Sequence, residues 1–221
     1  MRFLSFLRPV LATLAFVAAA SGASAAEFKN GVDFNTLDLP NRPDTGKKVE
    51  VTEVFMYHCP HCNALDPSLS DWVKKQGDKI VFRRLHLGDD AQAKAFFTLE
   101  AMNALGNGMH EKIFHAIHVE HNRLNTDQSL LDFVVKNGVD KNKYLETFNS
   151  FAVQTKLKRG VQLTNQYKLD SAPSIVIDGH YTTSPAQAGH GLSTEQAAFG
   201  VMFNVMDSLV AKSAAERAAK K

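Results

Sequence analysis

The spacing of apolar and polar positions predicts the first elements of the folded chain. Residues 47–57, KKVEVTEVFMY, end in a continuous apolar run, which is typical of a buried central strand. Residues 80–87, IVFRRLHL, predict a second strand. Between them, apolar residues recur on one helical face. This helix is predicted to begin at Cys59 and Pro60 and to end at Gly77, because proline favours a first helical position and glycine a helix end.

A different pattern occupies residues 89–167, where the apolar spacing is helical almost throughout. This spacing predicts a block of helices. Beyond it, the segment PSIVIDGHYTT predicts a β-hairpin. Asp178 and Gly179 are expected to form its turn, since Asp-Gly suits a two-residue hairpin loop.

The last element is predicted to be a helix. Ser193 and Gln196 have the spacing of a capping box, and helical periodicity continues to about Lys212, followed by a tail that we expect to be frayed. The complete order is strand, helix, strand, a block of helices, a hairpin and a closing helix. This order predicts an α/β sheet core that is interrupted by a helical subdomain.

The N-terminal 25 residues predict an export signal. Arg2 and Arg8 form a basic first region, and an apolar run follows at Val10–Ala20. Ala23-Ser24-Ala25 then has the small-x-small pattern of a signal peptidase site. The apolar run is well short of the roughly 20 residues that span a bilayer. We therefore expect the protein to work in an oxidising, extracytoplasmic space such as the periplasm.

Composition narrows the chemistry to a pair of thiols. The formal net charge of +2 is too small to indicate a nucleic-acid partner. The chain has two cysteines, Cys59 and Cys62, and both lie at the predicted strand-to-helix turn. Such a pair can form a structural disulfide, half of a zinc site, or a disulfide that is made and broken in a reaction.

Two of these interpretations explain the pair poorly. A disulfide that closes a ring of about four residues would contribute only about 2 kcal/mol. Zinc needs four ligands, of which the pair supplies two. His58 and His61 lie too close together to complete the site, and the spacing of three further histidines is more typical of a solvated helix face (His115, His118 and His121). We expect no metal and no organic cofactor.

A redox role explains the placement of the cysteines at a helix start. Unpaired backbone N–H groups and the helix dipole there favour a thiolate on Cys59, so Cys59 attacks and Cys62 resolves. Lowering a thiol pKa by about four units requires roughly 5.5 kcal/mol, and the dipole supplies at most about 2 kcal/mol. Hydrogen bonds and a nearby positive charge must supply the rest, and His61 is placed to do so. A thiolate stabilised in this way makes the disulfide form an oxidant.

Several features together resemble the DsbA family of periplasmic thiol:disulfide oxidoreductases. They are the CPHC motif after a strand, the export signal and the segment SAPSIVIDG, and the likeness covers essentially the whole mature chain. The resemblance implies a thioredoxin-like fold with an inserted helical subdomain. The expected parts are a signal peptide at 1–25, the first part of the thioredoxin fold at 26–88, the helical insertion at 89–167, and the second part of the thioredoxin fold at 168–221.

The resemblance also implies roles for the motif residues. Cys59 is the nucleophile and Cys62 the resolving cysteine, while Pro60 and His61 form the dipeptide that tunes the redox potential. A low pKa of the first cysteine is an established property of this family.

Two residues of a distant loop receive their roles only from this likeness. Pro173 matches the cis-proline of thioredoxin-like folds, which lies against the cysteines. Ala172 would present its backbone to the substrate, and it stands where the family often has Val or Thr.

Glu53 lies on the strand that leads into the motif and matches a buried acidic position of the family. One hypothesis is a proton-relay role, because a buried acid is costly without a function or a partner. The alternative is an ordinary strand residue at a wet sheet end. Either Arg84 or His86 could pair with it.

The predicted function is that of an oxidase that donates its Cys59–Cys62 disulfide to newly exported proteins with free cysteines. The family implies reoxidation by a DsbB-like membrane quinone oxidoreductase, and we expect a monomer. One alternative is a disulfide isomerase or reductase on the same fold, although the similar isomerases carry a dimerisation domain and only about 33 mature residues precede Cys59. Another is an exported chaperone-like binding module that retains the motif without using it.

Overall fold

The computed structural model describes residues 27–38, 40–106 and 108–219, so the predicted signal peptide lies outside the described residues. Within these ranges, no helix is long and apolar enough to cross a membrane. The strands are β1 (Asn35–Thr36), β2 (Val49–Phe55), β3 (Ile80–His86), β4 (Ser174–Ile177) and β5 (Tyr181–Thr183). The helices are α1 (Pro60–Gln76), α2 (Ala91–Ala101), α3 (Met109–His118), α4 (Asp127–Lys136), α5 (Lys141–Phe148), α6 (Phe151–Gln166), α7 (Pro185–Ala188) and α8 (Glu195–Ala219).

The strands form a mixed sheet in the order β1-β5-β4-β2-β3. β2 is parallel to β3 and antiparallel to β4, and β5 is antiparallel to both β4 and β1. α1 connects β2 to β3, because parallel neighbours need a crossover of this kind. β2 therefore lies inside the sheet, which explains its continuous apolar run.

Apolar side chains pack on both faces of the sheet. On one face, Val51 of β2 packs with Leu69 of α1 and Met202 of α8. On the other face, Val54 of β2 packs with side chains of the helices that lie between β3 and β4, such as Ile113. The predicted fold class, an α/β sheet with a helical insertion, is confirmed. The exact boundaries of the expected parts stay predictions.

The local elements around the motif are also confirmed. Cys59 is the N-cap of α1 and Pro60 its first helical residue. At the hairpin between β4 and β5, Asp178 and Gly179 both have φ of 56°, the left-handed backbone that such a turn requires. The short edge strand β1 is an element that the sequence pattern did not predict.

The predicted start of the closing helix is wrong by one residue. Thr194, not Ser193, precedes α8, and its hydroxyl accepts a hydrogen bond from the N–H of Ala197 at 3.3 Å. The two candidates are adjacent hydroxyl residues, so the sequence pattern did not separate them.

The predicted fraying of the tail is wrong as well, since α8 continues beyond Lys212 to Ala219. The tail is fixed by polar contacts with the sheet domain. Arg217 donates to the buried carboxylate of Asp178 at 2.8 Å and to the carbonyl of Gly46 at 2.9 Å. These contacts hold the last turns in helical form, and local composition did not indicate them.

Candidate active site

The two thiols lie at the N-terminus of α1. Cys59 has extended backbone angles, and its Sγ accepts a hydrogen bond from the N–H of Cys62 at 3.4 Å. Cys59 is 7% exposed, whereas Cys62 is fully buried. Both are free thiols in the structure. An incoming group therefore meets Cys59 first.

The surroundings drive the pKa values of the two thiols in opposite directions. The hydrogen bond from the Cys62 thiol, helped by the backbone N–H groups of Cys62 and His61 and by the charge of His61, overcomes burial and lowers the pKa of Cys59 to about 6. Donation of that same hydrogen bond and burial raise the pKa of Cys62. The thiolate is thus located on Cys59.

The loop before β4 lies directly against the first thiol. The Ala172–Pro173 peptide bond is cis. The carbonyl oxygen of Ala172 lies 3.4 Å from the Sγ of Cys59, where it can accept a hydrogen bond from the thiol when that thiol is protonated. Cys59 and the two residues of this loop, more than a hundred positions apart in sequence, therefore form one surface.

His61 projects outward from the start of α1. Its side chain is 69% exposed, and its Nδ1 lies 2.5 Å from Oε1 of Glu195, the first residue of α8. His61 and Glu195 line a groove of about 450 Å³ together with Ala172 and Pro173. Leu192, also on the groove wall, is exposed by 46% and presents an apolar side chain.

Glu53 is fully buried beneath the motif, so the alternative of a wet strand end is wrong. Arg84, and not His86, is its partner: the guanidinium Nε donates to Oε2 at 2.9 Å. Oε1 has no hydrogen-bond partner among the described residues. Burial raises the pKa of Glu53 to about 7, with Arg84 opposing that effect and Asp66 adding to it.

Asp66 and His110 are site residues that the sequence prediction missed. Arg84 also donates to Oδ1 of Asp66 at 2.7 Å, and Nε2 of His110 lies 3.4 Å from the same oxygen. Burial acts to raise the pKa of Asp66, but His110 and Arg84 outweigh it, so the pKa is lowered. Asp66 follows Cys62 by one helical turn, and this spacing could have revealed it. His110 belongs to α3 of the insertion, and no local pattern connects it with the motif.

Two further histidines fix the backbone just before the motif. The N–H of Tyr57 donates to Nε2 of His86 at 3.3 Å, and its carbonyl accepts from Nε2 of His118 at 2.8 Å. Burial lowers the pKa of His86 to about 4, so His86 is neutral at neutral pH. His86 therefore positions the loop rather than pairing with Glu53. His118 is likewise a structural residue and not part of a solvated face.

No group of three or more His, Cys, Asp or Glu side chains is arranged to hold a metal ion within the described ranges. The arrangement instead suits thiol chemistry. The nucleophilic Cys59 is slightly exposed, the protonated Cys62 beside it is fully buried, and a titratable carboxylate is buried nearby.

Comparison with known proteins agrees with this chemistry. The family profile described as "DSBA-like thioredoxin domain" matches residues 68–197. The thiol:disulfide interchange protein DsbA of Burkholderia cepacia is 38% identical over 189 residues, which cover 81% of this chain and 87% of that one. The corresponding protein of Bordetella parapertussis is 31% identical over 208 residues, covering 92% and 95% of the two chains.

The fold comparison gives the same result. The crystal structure of Pseudomonas aeruginosa DsbA superimposes with a TM-score of 0.76 at 31% sequence identity, covering 88% of this chain and 97% of that one. The chain therefore belongs to the DsbA family of thioredoxin-fold thiol:disulfide oxidoreductases, with Cys59 and Cys62 as its CXXC pair.

Proposed function

We propose that the protein oxidises pairs of free thiols in newly exported proteins. A substrate thiolate attacks Sγ of Cys59 in the Cys59–Cys62 disulfide, the enzyme S–S bond breaks, and Cys62 leaves with the electron pair. A second substrate thiolate then attacks the substrate sulfur of the mixed disulfide, and Cys59 leaves as a thiolate. Two electrons pass to the enzyme, and the substrate gains one disulfide.

The observation that carries this direction of transfer is the stabilised thiolate of Cys59. Its pKa, lowered to about 6 by hydrogen bonds from Cys62, makes Cys59 a good leaving group. Whatever stabilises the reduced enzyme makes its disulfide more oxidising. A disulfide donor needs this bias, whereas a reductase needs the opposite one.

Glu53 is proposed to handle the proton of Cys62. Cys62 leaves as a thiolate with a raised pKa, so it must take up a proton when the mixed disulfide forms, and it must lose that proton on reoxidation. Glu53 has a pKa of about 7 and is close enough that its charge acts on both thiols. A carboxyl group that titrates near neutral pH suits both directions of transfer.

The groove beside Cys59 is proposed to hold the substrate chain. The carbonyl of Ala172 borders the nucleophilic sulfur, Pro173 lines the groove, and the exposed Leu192 offers an apolar contact. Unfolded chains share a backbone and apolar side chains but no sequence. A groove of this composition suits such substrates.

The place of action and the recycling partner are proposed from the family. The predicted signal peptide and the need for an oxidising compartment favour the periplasm. Each turnover leaves the enzyme reduced, so an electron acceptor is required, and a DsbB-like membrane quinone oxidoreductase would supply it. We propose that the monomer is the active form.

The test uses the oxidised mature protein and a reduced, unfolded protein that contains two cysteines. The enzyme should form the substrate disulfide and become reduced. Reduced Cys62→Ser, offered the disulfide form of the same substrate, should accumulate a mixed disulfide through Cys59 on a non-reducing gel. The Cys59 thiolate breaks the substrate S–S bond and releases one substrate thiolate, and no Cys62 thiol is present to resolve the product. Cys59→Ser should form neither product.

The same assay separates the alternatives. Faster reshuffling of a scrambled substrate than net oxidation would favour an isomerase, and a strongly reducing potential would favour a reductase. Full suppression of substrate aggregation by Cys59→Ser, together with no oxidation by the wild type, would favour a binding module.

A further inference from the structure

The pair of His61 and Glu195 joins the motif to the C-terminal helix. These residues are 134 positions apart in sequence, and Nδ1 of His61 donates to Oε1 of Glu195 at 2.5 Å. Both lie on the wall of the groove beside Cys59. The contact therefore connects the start of α1 with the start of α8.

The imidazole of His61 lies near two negatively charged groups, the thiolate of Cys59 and the carboxylate of Glu195. Its positive charge is one of the factors that stabilise the Cys59 thiolate. The carboxylate of Glu195 draws on the same charge through the hydrogen bond at Nδ1. Because Coulomb attraction falls with distance, an imidazole that is held toward the carboxylate gives less help to the sulfur than one that is free to turn toward it.

Within the part of the chain that the structure describes, no other ionisable group on the groove wall competes for His61. The wall carries His61, His190 and Glu195 as its titratable side chains among the described residues. Nδ1 of His190 donates to the carbonyl of Gln187 at 3.0 Å and lies 4.0 Å from Asp33. His190 therefore faces its own loop, and Glu195 pairs with His61.

Glu195 is not needed to cap its helix. The hydroxyl of Thr194 fills that role. As a first-turn acid, Glu195 contributes only the small dipole effect of an exposed charge. Its close contact with His61 thus calls for another explanation.

We propose that Glu195 is a positioning residue that holds the imidazole of His61 against α8 and thereby limits the oxidising strength of the enzyme. This inference rests on the proposed disulfide-donor reaction. It gives the motif histidine a carboxylate partner from the far end of the chain and makes the start of α8 part of the redox control.

The test is Glu195→Gln in the full mature protein. We expect the thiolate absorbance of Cys59 to titrate at lower pH than in the wild type. The equilibrium constant with glutathione should shift toward the reduced enzyme by about twofold to fivefold, the range for loss of an exposed ion pair. Glu146→Gln, an exposed glutamate on α5, is the matched control and should change neither quantity.

A second pair of variants tests whether the effect passes through His61. In a His61→Phe background, Glu195→Gln should no longer shift the thiolate titration. A persistent shift, no shift in the single variant, or a shift to higher pH would each overturn the inference.

Two further readouts separate other causes. A loss of unfolding free energy in Glu195→Gln without a redox change would indicate a merely structural residue and would also overturn the inference. Failure of the proposed function is distinct, because it would appear in the wild type as a near-normal thiol pKa and a reducing potential.

Discussion

At the residue scale, the site makes two identical side chains behave differently. Cys59 receives hydrogen bonds at a helix start, while Cys62 donates one and is buried. The pKa of the first thiol falls and that of the second rises. The order of attack and release follows from this difference, since the stabilised thiolate is both the better leaving group and the more exposed sulfur.

The buried acids show a similar division. Arg84 bridges Glu53 and Asp66, and its single positive charge cannot fully offset two carboxylates. His110 lies beside Asp66 and helps to keep it ionised. The remaining proton is therefore held by Glu53, whose pKa is raised to about 7.

This division predicts a pH effect on stability. Because the pKa of Glu53 rises from 4.5 to about 7 on folding, its protonated form favours the folded state below pH 4.5, and that stability is lost as the pH rises to about 7. The shift corresponds to an effect on the order of 3 kcal/mol. Glu53→Gln should flatten this decline in urea unfolding of the disulfide form, in which Cys59 cannot titrate.

The matched control for this prediction is Glu50→Gln. Glu50 lies at the partly exposed start of the same strand and pairs with the exposed Arg83. The control should keep the decline between pH 4.5 and about 7. An equally steep decline in Glu53→Gln would contradict the assignment of the proton to Glu53.

At the element scale, the site depends on where elements begin and end. α1 begins at the nucleophile, β4 begins directly after the loop that touches it, and α8 begins at the partner of His61. An ion pair between Arg217 and Asp178 joins the C-terminal end of α8 to the turn of the β4–β5 hairpin. These end contacts set the relative positions of the sheet and the C-terminal helix.

The hairpin turn gives a prediction for one glycine. A Cβ on Gly179 would lie 1.9 Å from the carbonyl oxygen of Asn41, and the backbone there has φ of 56°. Gly179→Ala should therefore lower the free energy of unfolding by roughly 1 kcal/mol because of left-handed strain. Moving the chain at Asn41 away from the new Cβ should lower it further. Urea unfolding of both redox forms measures the loss.

Gly138 is the control for backbone strain alone. It also has positive φ, at 95°, but a Cβ there would meet open space. Gly138→Ala should therefore be clearly less destabilising than Gly179→Ala. Equal losses in the two variants would show that the close approach at Asn41 contributes nothing.

At the scale of the whole molecule, the active site lies where the two cores meet. Cys59 and Cys62 belong to the core of the helical insertion, while Leu65 and Leu69, further along α1, belong to the core shared with α8. The insertion also supplies His118 to the backbone before the motif. The sheet, the insertion and the C-terminal helix therefore all contribute to one small surface.

Because the two cysteines are packed into the core of the folded protein, we predict that their redox state changes the stability of the entire protein. The pKa of Cys59 is lowered on folding to about 6, so the reduced form gains stability above that pH and loses it as the pH falls through about 6. The reduced protein should therefore unfold at higher urea concentration than the disulfide form near pH 8. The difference should shrink toward pH 5.

Cys59→Ser is the control, because its unfolding midpoint should not respond to a reductant. A disulfide form that is the more stable one at pH 8 would point to a structural disulfide. That result would contradict the proposed disulfide donor as well.

The sequence by itself determined the features that depend on neighbouring residues. Alternation and apolar runs predicted β2 and β3, the Asp-Gly pair predicted the hairpin, and Cys59 and Pro60 marked the start of α1. These features are local because backbone propensity and helix capping act within a few residues. The placement of both cysteines at a helix start, and hence their redox chemistry, followed from the same short-range rules.

Only the tertiary structure decided which distant residues meet at the site. It selected Arg84 over His86 as the partner of Glu53, and it brought His110 and Glu195 to the motif from α3 and α8. The position of the Ala172 loop against Cys59 had been implied by the family likeness alone. The physical reason is that such contacts depend on how helices and sheet pack, and packing buries whichever side chains face one another. No pattern within a short window of the chain records that partner.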